Sequence, residues 1–261
     1  MKLVCLNIWG ATQGKILFDY LLEQSKTTDI FCLQEVYSAG KGAPKIHIEG
    51  RMFGLGELTN LLPDFVPFFE VKSSGYVGNA EAKVDWPVDW GMAMFVRNNI
   101  KIQNYTAEII GKADFDGTSP IEGLVKAQIL TIQGKEGKMH IVNMHGMSRP
   151  GNKLDTSKRL AQSHKLLNVL DTLPKAPIVL CGDFNLMPET ESIRMIEQKF
   201  NNLIKTFNIT NTRNEISWNR YNNRQYFADY IFASPEIKVK SFEVPYNLVS
   251  DHLPMILDFS L

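Results

Sequence analysis

The chain has 261 residues, 44% hydrophobic and 21% charged. That is enough to hide roughly 70–75% of the unfolded surface without a disulfide or metal staple. Its 28 lysines and arginines balance 28 aspartates and glutamates. This argues against a protein that coats nucleic acid regardless of sequence, since such proteins are basic, but it leaves room for an enzyme with a small basic groove.

The start, "MKLVCLNIWG", is too short and too polar for a signal peptide. Nothing approaches a transmembrane length. Cys5, Cys32 and Cys181 each sit in an apolar run and read as core thiols. An expectation of no disulfides and a cytoplasmic, reducing setting follows.

Strand-like apolar runs recur along the chain at 2–8, 29–35, 65–71, 91–97, 123–132, 139–146, 177–183, 227–233, 237–244 and 254–260. Many are almost continuously apolar, as strands covered on both faces are. Helical stripes lie between some of them. "KILFDYLLEQS" (15–25) aligns Ile16, Leu17, Tyr20 and Leu21, and 156–173 aligns Leu160, Leu166, Leu167 and Leu170. "TESIRMIEQKF" (190–200) has an acidic first turn suited to a helix N-terminus. No Pro/Gly/Ser-rich linker and no repeat divides the chain, so one domain over 1–261 is expected. The mixture of helices and strands predicts an α/β fold with mixed sheets packed together and helices outside.

The strands share one peculiarity: an ionisable or amide residue at their margin. Asn7 ends the first run, Glu35 the second and His145 the run "IVNMHG". Asp183 and Asn185 follow 177–181, Asp229 enters "ADYIF", and Asp251 and His252 precede the last run. Taken singly, an Asn or Asp there is a turn residue that bonds its own backbone. His145 alone reads as a satisfied core histidine. Glu35 resists that reading, because glutamate has poor turn chemistry and is rarely buried unpaired. Strand margins in packed sheets converge on a rim, and rims carry sites.

The series "LNIWG", "CLQEV", "NMHG", "CGDFNLMPE", "ADYIF" and "SDHLP" resembles the motifs of the metal-dependent endonuclease/exonuclease/phosphatase superfamily, from Asn7 to His252. The resemblance implies a four-layer α/β sandwich of the DNase I type, with two mixed sheets face to face, helices outside and the site at one sheet edge. It implies Glu35 as the main metal ligand with Asn7 and Asp251 nearby. Asp183 would orient or deprotonate the attacking water, and Asn185 would hold the phosphate or that water. His252 would bond a phosphoryl oxygen with Asp229 fixing its ring, and His145 would donate to the phosphate or the leaving oxygen. All-oxygen donors point to Mg²⁺ or Mn²⁺ rather than zinc. Glu81, Asp85 and Asp89 are all candidates for the carboxylate that pairs with the His145 counterpart in some relatives.

Substrate choice lives in loops. Residues 37–51 carry Lys41, Lys45, His47 and Arg51, and read equally as a solvated loop or a basic flap over a phosphate. Trp86 and Trp90 read as core packing or as a stacking wall for a base. Asp155 or Thr156 caps the next helix, while Arg149, Lys153 and Arg159 are candidates for the rim. Residues 208–227 carry Arg213, Arg220, Arg224, Trp218 and Tyr221 before Asp229, with Arg213 favoured as a phosphate contact. Lys126 stands near the position where some relatives place an arginine or tyrosine.

These readings lead to a monomeric phosphoesterase acting on nucleic acid, DNA ahead of RNA. A lipid, inositol or nucleotide phosphoester is the alternative substrate. A binding module that kept the fold but lost turnover is the alternative of another class.

Overall fold

The computed structural model describes residues 1–78, 82–114, 122–134, 137–221 and 224–261, and the side chains of all of these except 113, 114, 122, 220 and 221. The main strands are β1 (Lys2–Asn7), β2 (Ile30–Ala39), β3 (Phe65–Ser74), β4 (Val88–Arg97), β5 (Lys101–Asp114), β6 (Glu122–Gln133), β7 (Lys138–His145), β8 (Ile178–Asp183), β9 (Asp229–Ala233), β10 (Lys238–Glu243) and β11 (Met255–Ser260). The helices are α1 (Lys15–Ser25), α2 (Gly54–Leu61), α3 (Ser157–Thr172), α4 (Glu191–Glu197), α5 (Leu203–Thr206) and α6 (Glu215–Tyr221).

Among the described residues the strands form two six-stranded sheets. The first has the order β10-β11-β1-β2-β4-β3; the second runs from the two-residue strand Asn201–Asn202 through β9-β8-β7-β6 to β5. The sheets are mixed. Each has one parallel pair, β1 with β2 and β7 with β8, and the other pairings of these strands are antiparallel. A parallel pair needs a crossover, and α1 and α3 supply the two.

Alternation along β1 and β2 sorts the side chains into two layers. Leu3, Cys5, Ile30 and Cys32 face the second sheet and join the core between the sheets. Val4, Leu6, Phe31 and Leu33 face outward against Leu17 and Leu21 of α1 and Leu58 of α2. Each such buried side chain contributes about 1.5–3 kcal/mol relative to exposure. The three thiols are buried and free. A chain of amides also crosses between the sheets: Gln34 Nε2 donates to Asn143 Oδ1 at 2.6 Å, and Asn143 Nδ2 donates to Gln128 Oε1 at 2.8 Å.

Two elements go beyond the sequence reading. Strand β5, "KIQNYTAEIIGKAD", has no apolar run because it pairs only with β6 and leaves most of its described side chains exposed or half-exposed. Helix α2, "GLGELTNL", is masked by two glycines of low helix propensity and by its brevity, and it is held by burial of Leu58. No helix among the described residues is long and apolar enough to cross a membrane.

Candidate active site

The same alternation places the polar strand ends. Asn7 continues the inward parity of Leu3 and Cys5. His145 shares the face of Asn143, which reaches Gln34 across the gap. Asp183 follows Cys181 by two and pairs with Asp229 across β8 and β9. All lie at the same end of the sandwich, because β1 and β7 each run parallel to their neighbours and end there.

Glu35 breaks the parity rule. By alternation it would face the helices with Phe31 and Leu33. The β2–β4 register shifts between Gln34 and Val36, and Glu35 takes φ +61°. This is a β-bulge, which re-aims a side chain, and Glu35 Oε1 accepts from Asn7 Nδ2 at 3.1 Å. The same Nδ2 donates to Asp183 Oδ2 at 3.0 Å, so one amide ties the two acids together. Asn7 Oδ1 accepts from Trp9 N at 2.9 Å. Asn7 therefore turns its NH₂ group, rather than its oxygen, to the acids.

The turn after β8 answers both readings of "GDFN". Asp183 Oδ1 accepts from Asn185 N at 2.9 Å, a local turn bond. Asn185 takes φ +55° and is buried. Gly182 has φ +143°, and a Cβ there would lie 2.0 Å from the Met144 carbonyl oxygen. The glycine lets β8 close on β7 directly beneath the acid.

His252 Nδ1 bonds Asp229 at 2.8 Å, and its Nε2 stands 3.9 Å from both Asp183 Oδ2 and Asp251 Oδ1. Burial opposes the imidazolium, but the charges of Asp229, Asp251 and Asp183 outweigh it and raise His252 to about 9. Thr212 Oγ1 accepts from the amides of Ala228 and Asp229 and fixes that corner. His145 Nε2 faces Asp183 Oδ2 at 3.6 Å and Glu35 Oε1 at 3.8 Å. Burial, and then Lys72, push its pKa far down, so the ring is neutral. Its Nδ1 is buried without a hydrogen-bond partner among the described residues. With the proton on Nε2 the ring presents a donor to the acids.

The two central acids differ. Burial and the adjacent Asp251 raise Glu35 to about 7. Asp183 is buried more deeply than Glu35, yet His252 above all, with Lys153 and Arg213, holds it well below the usual carboxylate range. Lys153 and Lys72 are buried; burial lowers each to about 8. Lys153 Nζ donates to Asn185 Oδ1. Lys72 Nζ donates to the His145 carbonyl at 3.0 Å and lies 4.9 Å above the Trp90 ring. Arg213 Nη2 is 3.4 Å from Asp251 Oδ2.

Ligand atoms of Glu35, His145 and Asp183 lie within 4.8 Å of one another, as do those of Asp183, Asp229 and His252. At Glu35, burial and crowding by Asp251 and Asp183 outweigh the opposing pull of His252. Hard carboxylate oxygens in a desolvated cluster suit a divalent cation.

A family model described as the endonuclease/exonuclease/phosphatase family matches residues 4–252. The chain belongs to this endonuclease/exonuclease/phosphatase family. Its members are generally hydrolases of phosphoester bonds and generally use divalent metals. No curated protein matches the sequence. Solved structures share the fold at low identity. The Bacteroides vulgatus endonuclease/exonuclease/phosphatase is 16% identical, with TM-score 0.69 over 100% of this chain and 98% of that one. The human nocturnin catalytic domain with bound sulfate is 24% identical, with TM-score 0.70 over 100% and 93%. The Bacteroides thetaiotaomicron mannosyl-6-phosphatase is 15% identical, with TM-score 0.67 over 100% of each chain. These neighbours have the fold expected from the sequence, and the two mixed sheets flanked by helices agree with it.

The expected substrate residues of this family member go to different places. Arg213 joins the site. Trp90 is buried edge-on to His145, with ring centroids 5.4 Å apart, so it walls the pocket from behind. Trp86 lies half-buried on a satellite cluster of Tyr37, Met52, Val77, Val88 and Trp90, its ring 6.1 Å from His47. Lys126 is paired with Glu70. Arg159 turns fully inward, and its guanidinium donates to the carbonyls of Leu154, Pro150 and Met147. It shapes the loop after β7 instead of meeting solvent.

In the loop 37–51, Arg51 makes a two-pronged bond to Glu57 at 2.6 and 2.7 Å, while Lys41 and Lys45 stay exposed. Of the carboxylates considered for His145, Asp89 accepts from Ser74 at 2.5 Å, no hydrogen bond joins Asp85 to the ring, and Glu81 lies outside the described residues. The side chains of Arg220 and Tyr221 also lie outside them; Trp218 Nε1 donates to the Gln225 carbonyl. Thr156 caps α3 by accepting from Arg159 N, as expected, and Asp155 instead accepts from Glu191 N and Ser192 N at the start of α4.

Lys72 is the site residue missing from the sequence reading. Its signal was present as a charged residue one position past the apolar run 65–71, but the pattern sought acids, amides and imidazoles.

Proposed function

We propose that the chain is an Mg²⁺- or Mn²⁺-dependent phosphoester hydrolase whose principal substrate is nucleic acid. The observation that carries this reading is the meeting of Glu35, Asp183 and the Asp229–His252 pair in one buried pocket built from both sheets. Glu35 and Asp251 would hold such a cation, which when bound would supply charge neutralisation at the phosphoryl oxygens.

The chain's own groups do the rest. Asp183, ionised throughout the working pH range, orients the attacking water and takes its proton as the new P–O bond forms and the P–O bond to the leaving oxygen breaks; the leaving oxygen is protonated from solvent, and Asp183 returns its proton to water. His252, protonated to about pH 9, donates from Nε2 to a phosphoryl oxygen, and Asp229 fixes its ring. Asn185 donates from Nδ2, and neutral His145 donates from Nε2 toward the leaving oxygen. Asn7 holds the two acids at their spacing. Lys72 and Arg213 add positive charge around the anion. Such fixed donors and charges act strongly in a desolvated site.

A compact phosphorylated small molecule or lipid headgroup is the second reading. The buried cations Lys72, Lys153 and Arg213 favour it, because they lie inside a pocket on a chain with zero net charge. Bis-p-nitrophenyl phosphate, p-nitrophenyl phosphate and end-labelled single-stranded, nicked and abasic DNA and RNA, each with Mg²⁺, Mn²⁺ or EDTA, test both readings. The expected result is hydrolysis that EDTA abolishes. Silence on every substrate with either metal would leave the binding module standing instead.

A further inference from the structure

Lys153 breaks three habits of lysine. It is buried, with 5% of its surface exposed. It sits in a loop at φ +58°, where glycine or asparagine is cheaper. Its ammonium shares the pocket with a second cation, Arg213. Burial of an ammonium, left-handed backbone and like-charge repulsion all disfavour this arrangement. The backbone nevertheless holds it firmly. The Lys153 carbonyl accepts from Met187 N at 2.9 Å, and Arg159 binds the carbonyls of Pro150 and Leu154 on either side.

What the arrangement accomplishes lies at Asn185. An amide can present either its oxygen or its NH₂ group to a ligand, and the two ends are nearly equal in shape. A lysine has donors only. With Lys153 Nζ bonded to Asn185 Oδ1, the oxygen is engaged and Nδ2 is the end left for an anion. The remaining Nδ2 contact, to the Gly146 carbonyl, is a long one at 3.5 Å. We propose that Lys153 is a positioning residue that fixes the Asn185 amide with its NH₂ group toward the phosphoryl oxygens. This rests on the phosphoester reading of the pocket and adds to it a residue that acts through another.

A double-mutant cycle tests the coupling. Lys153→Met is expected to lower kcat on bis-p-nitrophenyl phosphate by about 10- to 100-fold, with KM changed less. Asn185→Ala is expected to lose about 100- to 1000-fold. The double variant should match Asn185→Ala alone. Lys153→Gln, neutral but still a donor, should recover most of the Lys153→Met loss and serves if that variant fails to fold.

A readout independent of turnover is the Asn185 side-chain NH₂ signal in ¹H–¹⁵N NMR of the whole protein, identified by its disappearance in Asn185→Ala. It should move in Lys153→Met and stay near its wild-type position in Lys153→Gln. Multiplicative losses in the cycle, or an unmoved signal in folded Lys153→Met, would overturn the assignment. Silence of the wild type on all substrates with a moved NMR signal would reject the phosphoester reading and keep the coupling.

Discussion

Beside the end of β1, in the bulge midway along β2, stands Glu35; at the end of β7 and β8 stands Asp183. Both halves are a parallel strand pair with a helical crossover, and both carry a desolvated acid tied to the same Asn7 amide. Their surroundings are opposite. Burial and then Asp251 raise Glu35 to about 7, whereas Asp183, against its burial, is held below the usual range by His252, Lys153 and Arg213. The same local fold therefore yields one carboxylate short of a cation and one already supplied with positive charge. In a phosphoesterase the first suits a metal and the second suits the attacking water.

The largest expected effect breaks the Asp183 half. Asp183→Asn should lower kcat by about 1000-fold or more with little change in melting temperature, since it removes a proton acceptor and keeps the shape. Near-wild-type turnover would discard the role.

Glu35→Gln sharpens the other half. Raised to about 7 from its ordinary 4.5, Glu35 contributes stability that is full below 4.5 and is lost as pH rises through 7. The loss is on the order of 3 kcal/mol in the metal-free protein. Glu35→Gln should be flat over that window and should lack the rise in melting temperature expected of the wild type with Mg²⁺ at pH 8. Thermal melts with Mg²⁺ or EDTA at pH 5 and 8 read both.

Asp229→Asn probes the pair that makes the Asp183 half positive. His252 is raised to about 9, so activity that needs its proton is lost as pH rises through that value. The alkaline limb of kcat/KM should retreat toward the ordinary 6.5 in Asp229→Asn. A limb that stays put would place the proton elsewhere. Lys126→Ala should change activity less than about threefold, because Lys126 is committed to Glu70, and steady-state kinetics on the same substrate check it.

Much of this was readable in the chain. The apolar runs located ten of the eleven main strands, and the structure brings Asn7, Glu35, His145, Asp183, Asp229, Asp251 and His252 close together, with Glu35 inside β2 instead of at its end. Glu35 was singled out by its chemistry, because a glutamate that closes an apolar run has no ordinary turn role. Arg159 read as a rim candidate because charge alone does not tell which side of a loop an arginine takes; three carbonyls of a curled loop took it inward. Lys72 was invisible as a site residue because its partner, the His145 carbonyl, is 73 positions away.

By itself the sequence determined where strands run and which side chains able to do chemistry end them, because hydrophobic periodicity is a local property. Only the tertiary structure decided that a bulge turns Glu35 to the rim, that Lys153 grips Asn185, and which acid carries its charge at neutral pH. Those outcomes depend on desolvation and on charges brought together from distant parts of the chain.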